Sequence, residues 1–144
     1  MDHIPSLLSP YETPPIRTAD DLHLHWRRLM GELGFATRCL WVTILDPLDL
    51  VVPTLPRLED LPAAPPEAVL RTFVHALAEA LGGADGRWSV GFLLSRHDPP
   101  SVTASDLRYR DVLRAAARAE GMNLRPMHLA TSDAVIGLDV AEAA

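Results

Sequence analysis

A chain of 144 residues, 48% apolar and 22% charged, has the length of one ordinary domain and enough apolar side chains for a real core, which excludes a wholly disordered polymer. Its net charge of −6 argues against a general nucleic-acid binder, and its one cysteine, Cys39, excludes an internal disulfide or a four-cysteine metal site. All 13 basic residues are arginine, and together with 13 prolines this usage follows GC-rich codons, so an arginine here is not by itself a phosphate clamp. The N-terminus lacks a basic stretch followed by an apolar run, and charges or prolines break every apolar run short of a membrane span. A soluble cytoplasmic protein is therefore expected.

Residues 1–17, with Pro5, Pro10, Pro14 and Pro15, read as an extended arm that is mobile unless docked. A first helix follows: Thr18 caps it with Asp21 as capping-box partner, Leu22, Trp26, Leu29, Met30 and Leu33 share one face, and Gly34 ends it. Cys39–Leu45 is a short β-rich run that reads as a strand buried on both faces. Asp46-Pro47-Leu48-Asp49 is a turn, Leu50-Val51-Val52 a returning edge strand, and residues 53–66 a proline-rich loop. Helix two begins at Pro66-Glu67, carries Val69, Leu70, Phe73, Val74, Leu77 and Leu81 as its apolar stripe, and stops at Gly82-Gly83. Trp88–Leu94 is the next strand, and Gly91 inside it implies a closely packed neighbour. Asp98-Pro99-Pro100 turns the chain into helix three, which opens with a second capping box, Thr103-Ala104-Ser105-Asp106, and closes at Gly121. Strands over 124–130 and 135–138 complete the order α-β-β-α-β-α-β-β. The predicted fold class is α/β in the broad sense (α+β): a mixed sheet with three helices in one domain over 18–138, followed by a short tail at 139–144.

The chemistry-bearing residues form no strong motif. His23 and His25 sit two apart on a helix and point to different faces. His75 lies on the polar side of helix two. His97 and His128, with Asp98 and Asp106, are the residues that strand ends could bring together, but their spacing matches no known ligand set. Ser95, Ser101 and Cys39 lack any nucleophile signature, and Cys39 reads as a buried apolar residue. Gly82-Gly83-Ala84-Asp85-Gly86 is a connector, because no Lys-Ser/Thr pair follows it. Among Asp20, Asp21, Glu59, Asp60 and Asp106, helix capping explains Asp21 and Asp106 without catalysis.

The stretch from Trp88 to Leu138 resembles the JAB/MPN fold, in particular its RadC-like branch: a strand, then Ser95-Arg96-His97-Asp98-Pro99-Pro100, a Thr-x-x-Asp opening a helix, and a further strand through His128. The resemblance extends by order of elements over residues 18–138. It implies a site in which two histidines and the aspartate bind zinc while an upstream glutamate activates water. Matching Asp106 puts Thr103 at the serine position and Leu93 and Ser95 at the histidine positions; a shift of two recovers only His97. Glu67 matches the glutamate but is also explained by its helix start. The resemblance thus implies a catalytically degenerate relative, with Ser95, His97, Thr103 and Asp106 as vestiges and no catalytic residue, metal or cofactor.

Three functions follow as expectations. The leading one is a non-enzymatic protein-interaction or dimerisation module, with a protein partner or a second copy as ligand. Its surfaces would be helix one, where Arg27 and Arg28 flank Trp26, and the loop at 53–66; Trp26 itself, on the apolar stripe, reads as core. The second is a hydrolase holding metal through His97, Asp106 and His128. The third is nucleic-acid association through Arg108 and a ridge of Arg110, Arg114 and Arg118, against which stands pairing of that face with Asp111 and Glu120. Neither a membrane nor nucleic acid is the expected partner.

Overall fold

The computed structural model describes residues 13–31, 35, 37–82, 87–97 and 99–138. Over these the elements are α1 (Ala19–Met30), β1 (Cys39–Leu45), β2 (Arg57–Leu58), α2 (Glu67–Ala80), β3 (Ser89–Ser95), α3 (Ala104–Ala119), β4 (Asn123–Leu124), β5 (His128–Ala130) and β6 (Val135–Gly137). The α+β class with three helices on one mixed sheet is as the sequence predicts. The sheet runs β2-β1-β3-β5-β6, with β4 also on β3. β1 is antiparallel to β2 and β3, β4 and β5 are parallel to β3, and β6 is antiparallel to β5.

Central β3 is buried at every residue because both faces are covered. Alternation along the strands divides the core in two. Leu40, Val42, Val90, Phe92, Leu94 and Leu129 pack with Leu70, Val74, Tyr109 and Leu113 of α2 and α3. Leu45, Leu93, Ala130 and Val135 pack on the other face with Leu22 and Trp26 of α1. Trp26 is fully buried, so it is core, as its place on the stripe predicts. Gly91 marks where α1 sits closest: a Cβ there would lie 3.2 Å from Thr43 Cγ2 and 3.3 Å from both Leu22 methyl groups.

Several boundaries differ from the sequence reading; β3 runs Ser89–Ser95 where Trp88–Leu94 is expected, and β6 ends at Gly137 rather than Leu138. α1 ends at Gly31, whose φ of 57° suits glycine, rather than at Gly34, which lies outside the described residues together with Leu33. The hairpin return is weaker than Leu50-Val51-Val52 suggests. Val51 makes a single bridge to Leu45, and pairing resumes at β2, inside the stretch read as loop. Pro53 interrupts the return, since a proline cannot donate to a ladder. Pro126 has the same effect on the predicted strand 124–130, dividing it into β4 and β5 along β3. Helix two starts one residue later than read, with Pro66 as its N-cap. Of the predicted arm, residues 13–17 are docked: Ile16 is buried and its N–H donates to Asp49 O at 2.8 Å. The stretch 1–12 and the tail 139–144 lie outside the described residues.

Candidate functional site

The region around Asp106 is where the sequence points to chemistry, and the structure builds it from the end of β3 and the start of α3. The capping box forms as predicted: Asp106 N–H donates to Thr103 Oγ1 at 3.3 Å, and Thr103 N–H returns a bond to Asp106 Oδ2 at 2.8 Å. A second partner was not legible as such. Arg96, the residue after β3, meets the carboxylate with both arms, Nε to Oδ1 at 2.9 Å and Nη2 to Oδ2 at 2.7 Å. The two side chains are 3% and 0% exposed. The same guanidinium donates to the carbonyls of His97 at 3.1 Å, Ser101 at 2.8 Å and Pro99, and so gathers these three residues around itself. Burial alone would raise the Asp106 pKa, but the bonds from Arg96 and Thr103 outweigh it and hold the carboxyl below its ordinary value.

The other expected site residues look elsewhere. Ser95 is fully buried and its Oγ accepts from Trp41 Nε1 at 2.8 Å. Leu93 packs among the apolar residues beneath α1. His97 is exposed, and Asp98 lies outside the described residues. His128 is buried in β5, with its ring 5.9 Å from that of His23. His23 donates Nε2–H to Val135 O at 2.7 Å, and His25 Nε2 lies 3.0 Å from Thr43 Oγ1. His23 and His25 do point apart, as their spacing predicts. Burial, with help from the charge of Arg28, pushes the His25 pKa down to about 4. The zinc implied by the JAB/MPN resemblance does not fit this donor set. Asp106 is committed to a guanidinium, an aliphatic and a bonded hydroxyl side chain stand at the histidine positions, and no three His, Cys, Asp or Glu groups converge among the described residues. Glu67 is taken up in an exposed pair with Arg71, at 3.2 Å. Cys39 is half-buried at the start of β1.

The arginine surfaces are also redrawn. Arg110 is not part of an exposed ridge. It is 4% exposed, with Nη1 3.4 Å from Leu138 O and Nη2 3.0 Å from Asp111 Oδ1, because its position on α3 faces the chain just past β6 rather than solvent. Arg108 and Arg118 are exposed and Arg114 is half-buried. On α1, Arg27 and Arg28 are both half-buried; Arg27 Nη1 donates to Gly31 O at 2.6 Å, closing the helix end.

An uncharged surface appears where the sequence suggests core. Val69 sits on the predicted apolar stripe of α2 yet is 51% exposed. With Ala68, Thr72, Phe73 and Ala76 it forms one wall of an open groove of about 430 Å³ whose other wall is Leu58 of β2. β2 is the sheet's terminal strand. Beside the groove, Arg57 and Glu59 bridge at 2.6 Å while both stay about half exposed, and the Arg57 guanidinium stacks 5.1 Å from the Trp41 ring. The only sequence signal for this surface was the width of the α2 stripe, which exceeds what one core contact needs.

No protein-family model, curated protein or solved structure matches the chain. Among the described residues, no helix is long and apolar enough to cross a membrane.

Proposed function

We propose that the chain is a non-catalytic protein-interaction module on a fold of the inactive JAB/MPN kind, working in the cytoplasm, with its binding face along α2 and the outer edge of β2. The observation that carries this reading is the segregation of α2's solvent side. Glu67, Arg71, His75 and Glu79 follow one line, whereas Ala68, Val69, Thr72 and Ala76 leave the neighbouring line without charge and open beside Leu58. The commitment of Asp106 to Arg96 supports the non-catalytic half of the reading, since a fully buried carboxylate whose charge is met by a bidentate guanidinium and a cap is closed to a ligand arriving from solvent.

Crosslinking mass spectrometry on the tagged full-length chain, purified from the producing cell beside a Val69→Arg variant, tests this. The expected result is polypeptide crosslinked through residues 57–76 in the wild type and lost in the variant, whose circular dichroism stays unchanged. Identical crosslinks in both, or none at that face, would overturn the proposal.

A further inference from the structure

We propose that the ligand of this face is a second copy of the same chain, joined by antiparallel pairing of β2 with β2 across a twofold axis at Leu58. The inference rests on the interaction-module reading and names its partner.

Backbone geometry comes first. Leu40 is opposite Leu58 and Trp41 opposite Arg57, and Val42 N–H donates to Pro56 O at 2.9 Å. Hydrogen-bonded and non-hydrogen-bonded pairs alternate in an antiparallel ladder, so positions 56 and 58 face β1 and the main chain of Arg57 faces outward. Glu59, two residues on, continues that direction until Asp60, with φ 55°, turns the strand away. Pro56 lacks its N–H on the side that faces β1, so it does not block the outer side.

Charge then selects register and partner. An axis at Leu58 places Arg57 opposite Glu59 of the second copy, and Glu59 opposite its Arg57. These are the outward-facing positions, so each cross-pair can exchange two main-chain hydrogen bonds. Leu58 meets Leu58 as the close, non-hydrogen-bonded pair between them, on the side where Val69 and Phe73 line the groove. Arg-Leu-Glu reads as its own complement when the strand is reversed. An axis at Arg57 would instead set arginine against arginine. Exposed edges are commonly guarded by charge that repels a second copy; here the two charges have opposite sign, and both side chains are about half exposed.

Sedimentation equilibrium of the full chain over a concentration series tests the inference. Wild type is expected to dimerise, with Arg57→Glu and Glu59→Arg each weakening the dimer by about tenfold, since each sets like charges opposite one another twice. Mixing the two single variants is expected to restore the dimer as a heterodimer: one chain then offers two glutamates, the other two arginines. A role of the Arg57–Glu59 bridge within one chain predicts no such rescue, and circular dichroism of each variant separates folding from association. A wild type that stays monomeric, singles that dimerise like wild type, or a mixture that fails to recover would overturn the inference. Should wild type be monomeric while another polypeptide still crosslinks through residues 57–76, the second copy is excluded and the interaction module stands.

Discussion

The chain writes nearly the same capping box twice, Thr18-Ala19-Asp20-Asp21 and Thr103-Ala104-Ser105-Asp106, and folds both as caps. At α1, Asp21 stays exposed. Main-chain bonds from Arg17 and Thr18 hold its carboxyl below the usual value, and it does nothing more than start a helix. At α3, Asp106 is fully buried and takes a guanidinium from ten residues upstream as well. A local motif therefore sets where a helix begins, whereas its energetic weight depends on what the fold brings against it. Cap bonds in solvent replace bonds to water and gain little, but an ionised group in the interior is stable only while every partner is present.

The largest expected effect falls on the buried cap. Arg96→Leu leaves the Asp106 carboxylate without its counter-charge and releases the carbonyls of His97, Pro99 and Ser101, so urea unfolding is expected to show a loss of about 3–5 kcal/mol. A loss under about 1 kcal/mol would mean that water reaches the carboxylate and that the two caps are equivalent.

Acid provides the next measurement. His25 has its folded pKa depressed to about 4 from an ordinary 6.5, so the unfolded chain binds more protons between those values. Its contribution is complete above pH 6.5 and is lost as pH falls through about 4, at most roughly 3 kcal/mol. His25→Gln should flatten the stability profile in that window. Asp106, whose folded pKa is also lowered, adds a loss that begins as pH falls through the ordinary carboxylate value and should persist in the His25 variant.

Smaller effects separate the hydroxyl halves of the two boxes. Thr103→Ala is expected to cost up to about 2 kcal/mol and Thr18→Ala about 1 kcal/mol, the order being the informative result. Asp21→Asn should give the smallest change in thermal midpoint, because its partners are exposed main-chain groups. A larger shift than that of Thr103→Ala would reverse the comparison.

A histidine with the opposite sign is available on the α2 surface. Hydrogen bonding to Glu120, and the charges of Glu120 and Glu79, raise the pKa of His75. Its link between α2 and the end of α3 is therefore present at low pH and lost as pH rises through the raised value.

Much of the architecture was legible from residues a few positions apart. Both capping boxes, the bounds of β1, the turn at Asp46-Pro47 and the tight contact at Gly91 were all readable in this way. Misreadings gathered where a local rule meets a distant partner. Gly34 and Gly31 both suit a helix end on sequence grounds, and α1 takes the first of them, Gly31, as its C-cap. A ridge of Arg110, Arg114 and Arg118 is correct as helix geometry, but Arg110 lies on the side that Leu138 covers. Val69 is apolar and in phase with Phe73, yet among the described residues it stays half exposed, because β2 ends the sheet beside it.

The three helices, both capping boxes and the two apolar faces of a mixed sheet follow from local order along the chain, because hydrogen bonding over three or four residues and the 2.0 and 3.6 periodicities are properties of neighbours. Long-range packing sets the rest: Arg96 closing on Asp106, Trp41 engaging Ser95 and, among the described residues, the α2–β2 edge standing uncovered. Those outcomes depend on which distant segments exclude water from which groups, and burial of that kind is a property of the assembled chain.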